Sequence, residues 1–336
     1  MLAALIDYGL FLAKTLTVFI AIGVLALLLL RARRAHEEDD PGQLELVDLN
    51  ARYRDLALEI KKATLPRKTF TLALKAERKQ RQARAKANDK RRRVFVIDFR
   101  GDLMASEVGA LRESITALLL ELTPADEVLV RLENAGGAVH EHGLGASQLL
   151  RLRARGIPLT VAVDKIAASG GYLMAAVADR ILAAPFAVIG SIGVVAELPN
   201  FHRWLERQGI DFELHTAGEH KRTLTLFGEN TEAARAKLRE QLAAVHDQFK
   251  ELVKTHRAAL DLDRVSTGEY WHGEQALALG LVDELRTSDD YLLAARAEAD
   301  LFKVRWRMRK KPLARLLEAV RLTGARWWRR QIQGVA

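Results

Sequence analysis

Two glycine-rich turns contain the residues whose types and order could support chemistry. They read NAGG at 134–137 and AASGGY at 167–172. Ser169 stands between a predicted strand and a predicted helix, where backbone N–H groups and the helix dipole favour developing negative charge. Glycines beside it would let a substrate backbone approach and would free amides to act as oxyanion donors. The pattern is typical of a nucleophilic serine, and equally typical of a serine that only caps a helix.

A nucleophilic serine needs a base, and none of the common catalytic motifs is present. The sequence contains no P-loop, no H-E-x-x-H, no G-x-S-x-G and no S-x-x-K, because the third residue after Ser169 is Tyr172. With no cysteine in the chain, a thiolate nucleophile and a cysteine-ligated metal are excluded, and no motif indicates a cofactor. His140 and His142 lack a third ligand at metal spacing, so both are predicted to be surface residues. A lysine could act as the base if burial lowered its pKa from about 10.4 towards 7, which costs roughly 4 kcal/mol.

Short apolar runs alternate with segments of helical period around these turns. Strands are predicted at 94–99 (VFVIDF), 128–132 (VLVRL), 159–163 (LTVAV) and 212–215 (FELH). Helices are predicted over 107–122 and 143–153, and a long amphipathic helix over 231–260 with Thr231 as its N-cap. This alternation predicts an α/β domain with a largely parallel sheet and helical crossovers.

The N-terminal segment predicts a transmembrane helix. Residues 8–30 contain one charge, Lys14, and a helix of this length could cross about 30 Å of hydrocarbon. A cleaved signal peptide fits less well, because no basic residue precedes the apolar run and no small-residue cleavage site follows it. Arg31, Arg33 and Arg34 follow the run, which by the positive-inside rule favours a cytoplasmic location for the remainder of the chain.

The net charge of +9 is concentrated in two segments. Residues 61–93 carry +12 and residues 301–336 carry +10, so the remainder of the chain is acidic. Residues 31–93 are predicted to be a charged linker or stalk. Residues 301–336 are predicted to be a basic amphipathic segment that contacts lipid headgroups or an acidic neighbouring subunit. The basic runs have few interleaved aromatic residues and form no recognised module, so the expected partner is the bilayer and not nucleic acid.

Five motifs in a fixed order resemble the signal peptide peptidase A family, a family of bacterial membrane serine proteases. They are NAGG (134–137), AASGGY (167–172), PFAVIGSIG (185–193), TAGEHKRTLTLFGEN (216–230) and WHGEQALALGLVD (271–283). The resemblance extends from the N-terminal segment to about residue 300. It implies stacked strand-strand-helix units over 94–300, like those of ClpP and crotonase, in an enzyme of the bacterial inner membrane. It also implies peptide or protein substrates and a homo-oligomeric ring.

The resemblance assigns roles to particular residues of this sequence. Ser169 matches the family nucleophile, and Lys221 matches the general base. Ser191 matches a serine that hydrogen-bonds this lysine in the family. The oxyanion hole is matched by Gly136 or Gly137 together with the amide of Gly170.

The chain departs from the family pattern at the first turn and in its predicted topology. The family usually reads S-P-G-G where this chain reads NAGG; the loss of proline removes a fixed φ but keeps both glycines, so the oxyanion hole is expected to survive. Better-known relatives place the catalytic domain outside the cytoplasm, whereas the arginine flank here favours the opposite. The side of the membrane therefore stays open.

The expected function is that of a membrane-anchored serine endopeptidase, with two alternatives. A crotonase-like acyl-CoA enzyme would share the fold and use glycine amides on a thioester carbonyl. An inert membrane scaffold would keep the anchor and the helices but would tolerate Lys221→Ala.

Overall fold

A computed structural model describes residues 9–21, 23–24, 42–87, 91–218 and 220–307. The chain divides into two compact units, one of Met1–Gln43 with Arg307–Ala336 and the other of Leu44–Trp306. In the first unit, residues 9–21 and 23–24 are helical (α1). Among all the residues that the structure describes, no helix combines the length and the apolar character needed to cross a bilayer. Part of the predicted span 8–30 and residues 308–336 of the predicted C-terminal segment lie outside the described residues.

The residues from 42 to 307 that the structure describes form a mixed α/β fold. Its elements, in chain order, are β1 (Gln43–Asp48), α2 (Leu49–Thr64), α3 (Arg67–Ala87), β2 (Arg92–Gly101), α4 (Val108–Leu119), β3 (Glu127–Asn134), α5 (Val139–Arg153), β4 (Leu159–Val163), β5 (Ile166–Ala168), α6 (Gly170–Ala176), β6 (Arg180–Ala183), β7 (Val188–Gly190), α7 (His202–Arg207), α8 (Glu232–His256), α9 (Leu262–Val265), β8 (Tyr270–His272), α10 (Gly273–Ala278), β9 (Glu284–Leu285), α11 (Ser288–Ala295) and β10 (Ala299–Arg307).

The strands form one sheet with a side branch. The main path has the order β1-β10-β2-β3-β4-β6-β9, and the pairs from β10 to β9 are parallel. The branch leaves β3 through β5 and continues to β7 and β8, with β7 and β8 antiparallel. All five residues of β4 are buried, as expected for a parallel strand covered on both faces. The predicted α/β class with a largely parallel sheet is therefore confirmed.

Most predicted elements are present, but one predicted strand is not. The runs 94–99, 128–132 and 159–163 lie in β2, β3 and β4, and the three predicted helices correspond to α4, α5 and α8. Thr231 caps α8 as expected, since its hydroxyl accepts a hydrogen bond from the Ala234 N–H at 3.2 Å. The strand predicted at 212–215 is wrong. These residues are exposed and pair with no strand among the described residues, and Phe212 packs against Phe227 with ring centroids 5.8 Å apart.

The sheet extends into both segments that the sequence placed outside the α/β body. Residues 43–64 of the predicted linker form β1 and α2, and α2 is tied to β10 by Asn50. The Asn50 amide donates to the Ala299 carbonyl at 3.0 Å, and its oxygen accepts from the Leu301 N–H at 2.8 Å. The C-terminal segment is predicted from residue 301 onward, but residues 301–307 belong to β10. Leu301 and Val304 of this strand are buried in the core. Pro66 separates α2 from α3.

Tyr172 fixes helix α6 in the core and provides a test of its packing. The side chain is fully buried, its phenol donates to the Leu281 carbonyl at 3.0 Å, and burial raises the pKa of the phenol. Tyr172→Phe would leave this carbonyl without its donor, so we expect the free energy of unfolding to fall by about 1–3 kcal/mol. Denaturant titration of both proteins in the same detergent would measure the change. Equal midpoints and slopes would mean that the hydrogen bond contributes no net stability.

Candidate active site

The serines of the second and third motifs lie at neighbouring strand ends. Ser169 follows β5 and Ser191 follows β7, and the parallel register pairs Ala168 with Gly190. The Ser169 N–H donates to the Gly190 carbonyl at 2.8 Å. The side branch of the sheet therefore aligns the two serine turns.

Ser169 occupies a strained backbone conformation and does not cap the helix that follows it. Its φ is 50° and its ψ is −120°, a region that residues other than glycine rarely adopt. Helix α6 begins at Gly170, but the Ser169 side chain accepts no capping hydrogen bond from it. The helix-cap interpretation of this serine is therefore not supported. This backbone conformation costs about 1–3 kcal/mol. The Ser169 hydroxyl is half-buried and makes no hydrogen bond within the described residues, so no side-chain hydrogen bond offsets that cost.

The NAGG turn lies against Ser169. Gly136 has φ +92°, and a Cβ built on it would lie 2.7 Å from the Ser169 Cβ and 2.9 Å from the Gly170 nitrogen. Gly137 has φ +153°, and a Cβ there would lie 2.1 Å from the Leu103 carbonyl oxygen. Both positions therefore exclude a side chain, which explains the paired glycines.

The two glycines of this turn differ in what their N–H groups do. The Gly136 N–H donates to Asn134 Oδ1 at 2.8 Å. Within the part of the chain that the structure describes, the N–H groups of Gly137 and Gly170 have no hydrogen-bond acceptor. Of the two candidates that the sequence offered for the first amide donor, the geometry thus leaves Gly137 available.

A small apolar cavity of about 60 Å³ lies beside these amides. Its lining includes Gly137, Gly170, Leu173, Val194, Val245 and Phe249. The volume and the lining suit a small apolar side chain placed next to Ser169. A larger cavity of about 180 Å³ is lined mainly by charged residues, among them Asp98, Arg131 and Lys165, and contains none of the predicted site residues.

Lys221 lies on the chain segment between β7 and α8. Its side chain is exposed, and its N–H donates to the Gly218 carbonyl at 3.2 Å. No hydrogen bond between described residues joins Lys221 to Ser169 or Ser191. Ser191, which has φ 51°, uses its N–H to donate to the Glu269 carbonyl at 2.7 Å. The structure thus brings both serines and both glycine turns together, and among the described residues it shows no hydrogen bond from the lysine to either serine.

His142 is buried at the centre of this site, so the prediction that it is a surface residue is wrong. Its side chain is 0% exposed, whereas that of His140 is 77% exposed as predicted. The buried residues of α5 recur at helical spacing from His142 through Ala146 and Leu149, so the histidine belongs to the core-facing stripe. Counting back four residues from Ala146 gives position 142, directly before the predicted helix 143–153. Extending the periodicity by this one step would have identified the histidine as buried.

The sequence has clear relatives among known proteins. The family model described as "Peptidase family S49 N-terminal" matches residues 3–149, and that described as "Peptidase family S49" matches residues 151–302. The chain belongs to peptidase family S49.

Within this family the similarity is to SohB-type members. "Probable protease SohB" of Haemophilus influenzae is 45% identical over 318 residues, covering 91% of this chain and 90% of that one. The protein of the same description from Buchnera aphidicola subsp. Acyrthosiphon pisum is 45% identical over 316 residues, covering 94% of each chain. Among solved structures, the 1510-N membrane-bound stomatin-specific protease matches 61% of this chain and 84% of its own at 14% identity and a TM-score of 0.41. The chain is thus a peptidase of the SohB type.

Proposed function

We propose that this peptidase is a membrane-anchored serine endopeptidase with Ser169 as nucleophile and Lys221 as general base. The observation that carries the proposal is the strained, uncapped Ser169 beside two amides that lack acceptors. A structural serine would gain nothing from this conformation. A nucleophile gains a hydroxyl left free to react at a helix N-terminus, where negative charge is favoured.

The proposed reaction uses one proton carrier throughout. Ser169 Oγ attacks the peptide carbonyl carbon while neutral Lys221 takes the hydroxyl proton. The N–H groups of Gly137 and Gly170 donate to the oxyanion, Lys221 then protonates the leaving amine, and the C–N bond breaks. Lys221 next takes a proton from water as the water oxygen attacks the acyl carbon. The C–Oγ bond then breaks, the peptide leaves as its carboxylic acid, and Lys221 returns the proton to Ser169 Oγ. Ser191 is proposed to orient the lysine.

We further propose that assembly of several copies into a ring brings Lys221 of one copy to Ser169 of another. Two features of the single chain support this: Lys221 is exposed with no hydrogen bond to Ser169 among the described residues, and large apolar side chains of the segment 195–227 are exposed. These side chains are Val195, Leu198, Phe201, Trp204, Ile210, Phe212, Leu214, Leu226 and Phe227. Several exposed large apolar side chains in one segment are typical of an interface between subunits.

The assembly proposal predicts that activity depends on association. Diluting the detergent-solubilised protein should lower the cleavage rate per chain, since separated copies would lose the lysine from the site. Casein or an apolar fluorogenic peptide would report the rate, and light scattering in mild detergent would report the mass. A fully active monomer would contradict the proposal.

The proposed location is the bacterial inner membrane, with residues 8–30 as anchor and the basic segments near lipid headgroups. The charge asymmetry around residues 8–30 supports a cytoplasmic location for the catalytic domain. We propose that this domain is built from stacked strand-strand-helix units, as in ClpP and crotonase. Protease treatment of inverted membrane vesicles carrying a C-terminally tagged protein would test the orientation. Loss of the tag there indicates a cytoplasmic domain, and protection of the tag indicates the opposite.

A further inference from the structure

The Asn134 side chain fills a buried niche at the end of β3. The side chain is 1% exposed, and the residue pairs with Gly101 on β2 and with Ala167 on β5. A Cβ on Gly101 would lie 2.4 Å from Asn134 Cγ, so the glycine at 101 makes room for this amide. The niche places a polar side chain directly behind the two glycine-rich turns.

The Asn134 amide contacts both turns and the helix after the nucleophile. Its Oδ1 accepts from the Gly136 N–H at 2.8 Å, and its Nδ2 lies 3.6 Å from Met174 Sδ on α6. The Asn134 backbone also lies close to α6, since a Cβ on Gly171 would lie 2.2 Å from the Asn134 carbonyl oxygen. This residue therefore spans the gap between the NAGG turn and the Ser169 turn.

His142, on α5, packs against Asn134 and against the turn that contains Ser169. Both ring nitrogens face acceptors, since Nδ1 lies 2.9 Å from the Ala138 carbonyl oxygen and Nε2 lies 3.2 Å from Asn134 Oδ1. The ring packs on the nucleophile turn, because a Cβ on Gly170 would lie 2.5 Å from His142 Cγ. The histidine thus contacts residues on both sides of Gly137 and the backbone of the second amide donor.

We infer that Asn134 and His142 are positioning residues that hold the N–H groups of Gly137 and Gly170 in the geometry of an oxyanion hole. By occupying the Gly136 N–H, Asn134 fixes the orientation of the turn and leaves the next amide free. In this chain the amide and the imidazole supply by hydrogen bonds the rigidity that a proline φ gives the S-P-G-G turn. The inference rests on the proposed serine peptidase function, because an oxyanion hole needs Ser169 as its nucleophile.

The test compares kcat and KM of full-length variants in detergent with an apolar fluorogenic peptide. Asn134→Ala removes the acceptor of the Gly136 N–H, and His142→Phe keeps a ring but removes both nitrogens. Each variant should lower kcat by about 10- to 100-fold with KM changed less than about twofold, because amide donors act on the transition state. Asn134→Ser keeps an oxygen that can accept from the same N–H, so it should recover much of the kcat lost in Asn134→Ala.

His140→Phe is the matched control, because it makes the same change at an exposed position on the same helix. Thermal unfolding of every variant reports whether the chain is folded. A loss of kcat no larger than that of His140→Phe, or a change confined to KM, would overturn the inference. If His142→Phe gives no unfolding transition, the difference between Asn134→Ser and Asn134→Ala decides. Full activity of Ser169→Ala would instead refute the proposed function, so the two failures are distinguishable.

Discussion

Ser169→Ala is expected to lower the rate of peptide cleavage by about 10⁴-fold or more while leaving the chain folded. Removal of the nucleophile leaves binding and the amide donors intact, so the residual rate comes from those contributions alone. The hydroxyl makes no hydrogen bond within the described structure, and its loss should therefore cost little stability. Initial rates with casein and an apolar peptide would measure the effect.

A second substitution at the same position separates activity from strain. Ser169→Gly should be as inactive as Ser169→Ala but more stable than it, since glycine adopts φ 50° and ψ −120° without steric cost. Ser147→Ala, at an exposed position on α5, controls for loss of a surface hydroxyl. Cleavage by purified Ser169→Ala at the wild-type rate would eliminate this serine as the nucleophile.

Lys221→Ala is expected to abolish activity to a similar extent, because no base would then take the Ser169 proton. Arg222→Ala is the matched control, since the neighbouring arginine is also basic and exposed but has no proposed role in proton transfer. An inert scaffold, or an enzyme that uses only amide donors, would tolerate the loss of Lys221. Wild-type activity in Lys221→Ala would therefore refute the proposed dyad.

Co-expression of two inactive variants tests whether the dyad forms between copies. If Ser169→Ala and Lys221→Ala chains mix randomly in a ring, about a quarter of the sites would combine an intact serine with an intact lysine. Activity should then return to about that fraction of the wild-type rate. No activity in verified mixed assemblies would show that each chain uses its own lysine.

Local patterns were sufficient to predict the centre of the fold. Strands β2, β3 and β4 each contain a short continuous apolar run, because a parallel strand covered on both faces needs no polar alternation. Paired glycines marked the turns that must approach one another closely, and Thr231 marked the start of α8. These signals lie within a few residues of the structure that they specify.

The misjudged features depend on contacts between distant parts of the chain. The strand β1 and the helix α2 read as a charged linker, and they join the sheet through contacts such as that of Asn50 with β10, about 250 positions away. The exposed run at 212–215 has strand-like composition, but none of the strands that the structure describes pairs with it. Sequence spacing likewise gives no information on the distance between Ser169 and Lys221, because much of the chain between β7 and α8 is irregular.

The close approach of Gly101 to Asn134 has a consequence for how this peptidase can evolve. The amide at 134 fits only while position 101 has no side chain, so a larger residue at 101 becomes accessible only after position 134 has lost its bulk. The order of the two replacements therefore matters, and one of the two mutational routes passes through a damaged intermediate. Positions 101 and 134, which are 33 residues apart, are therefore expected to change together, because the residue at one position restricts the substitutions that the other tolerates.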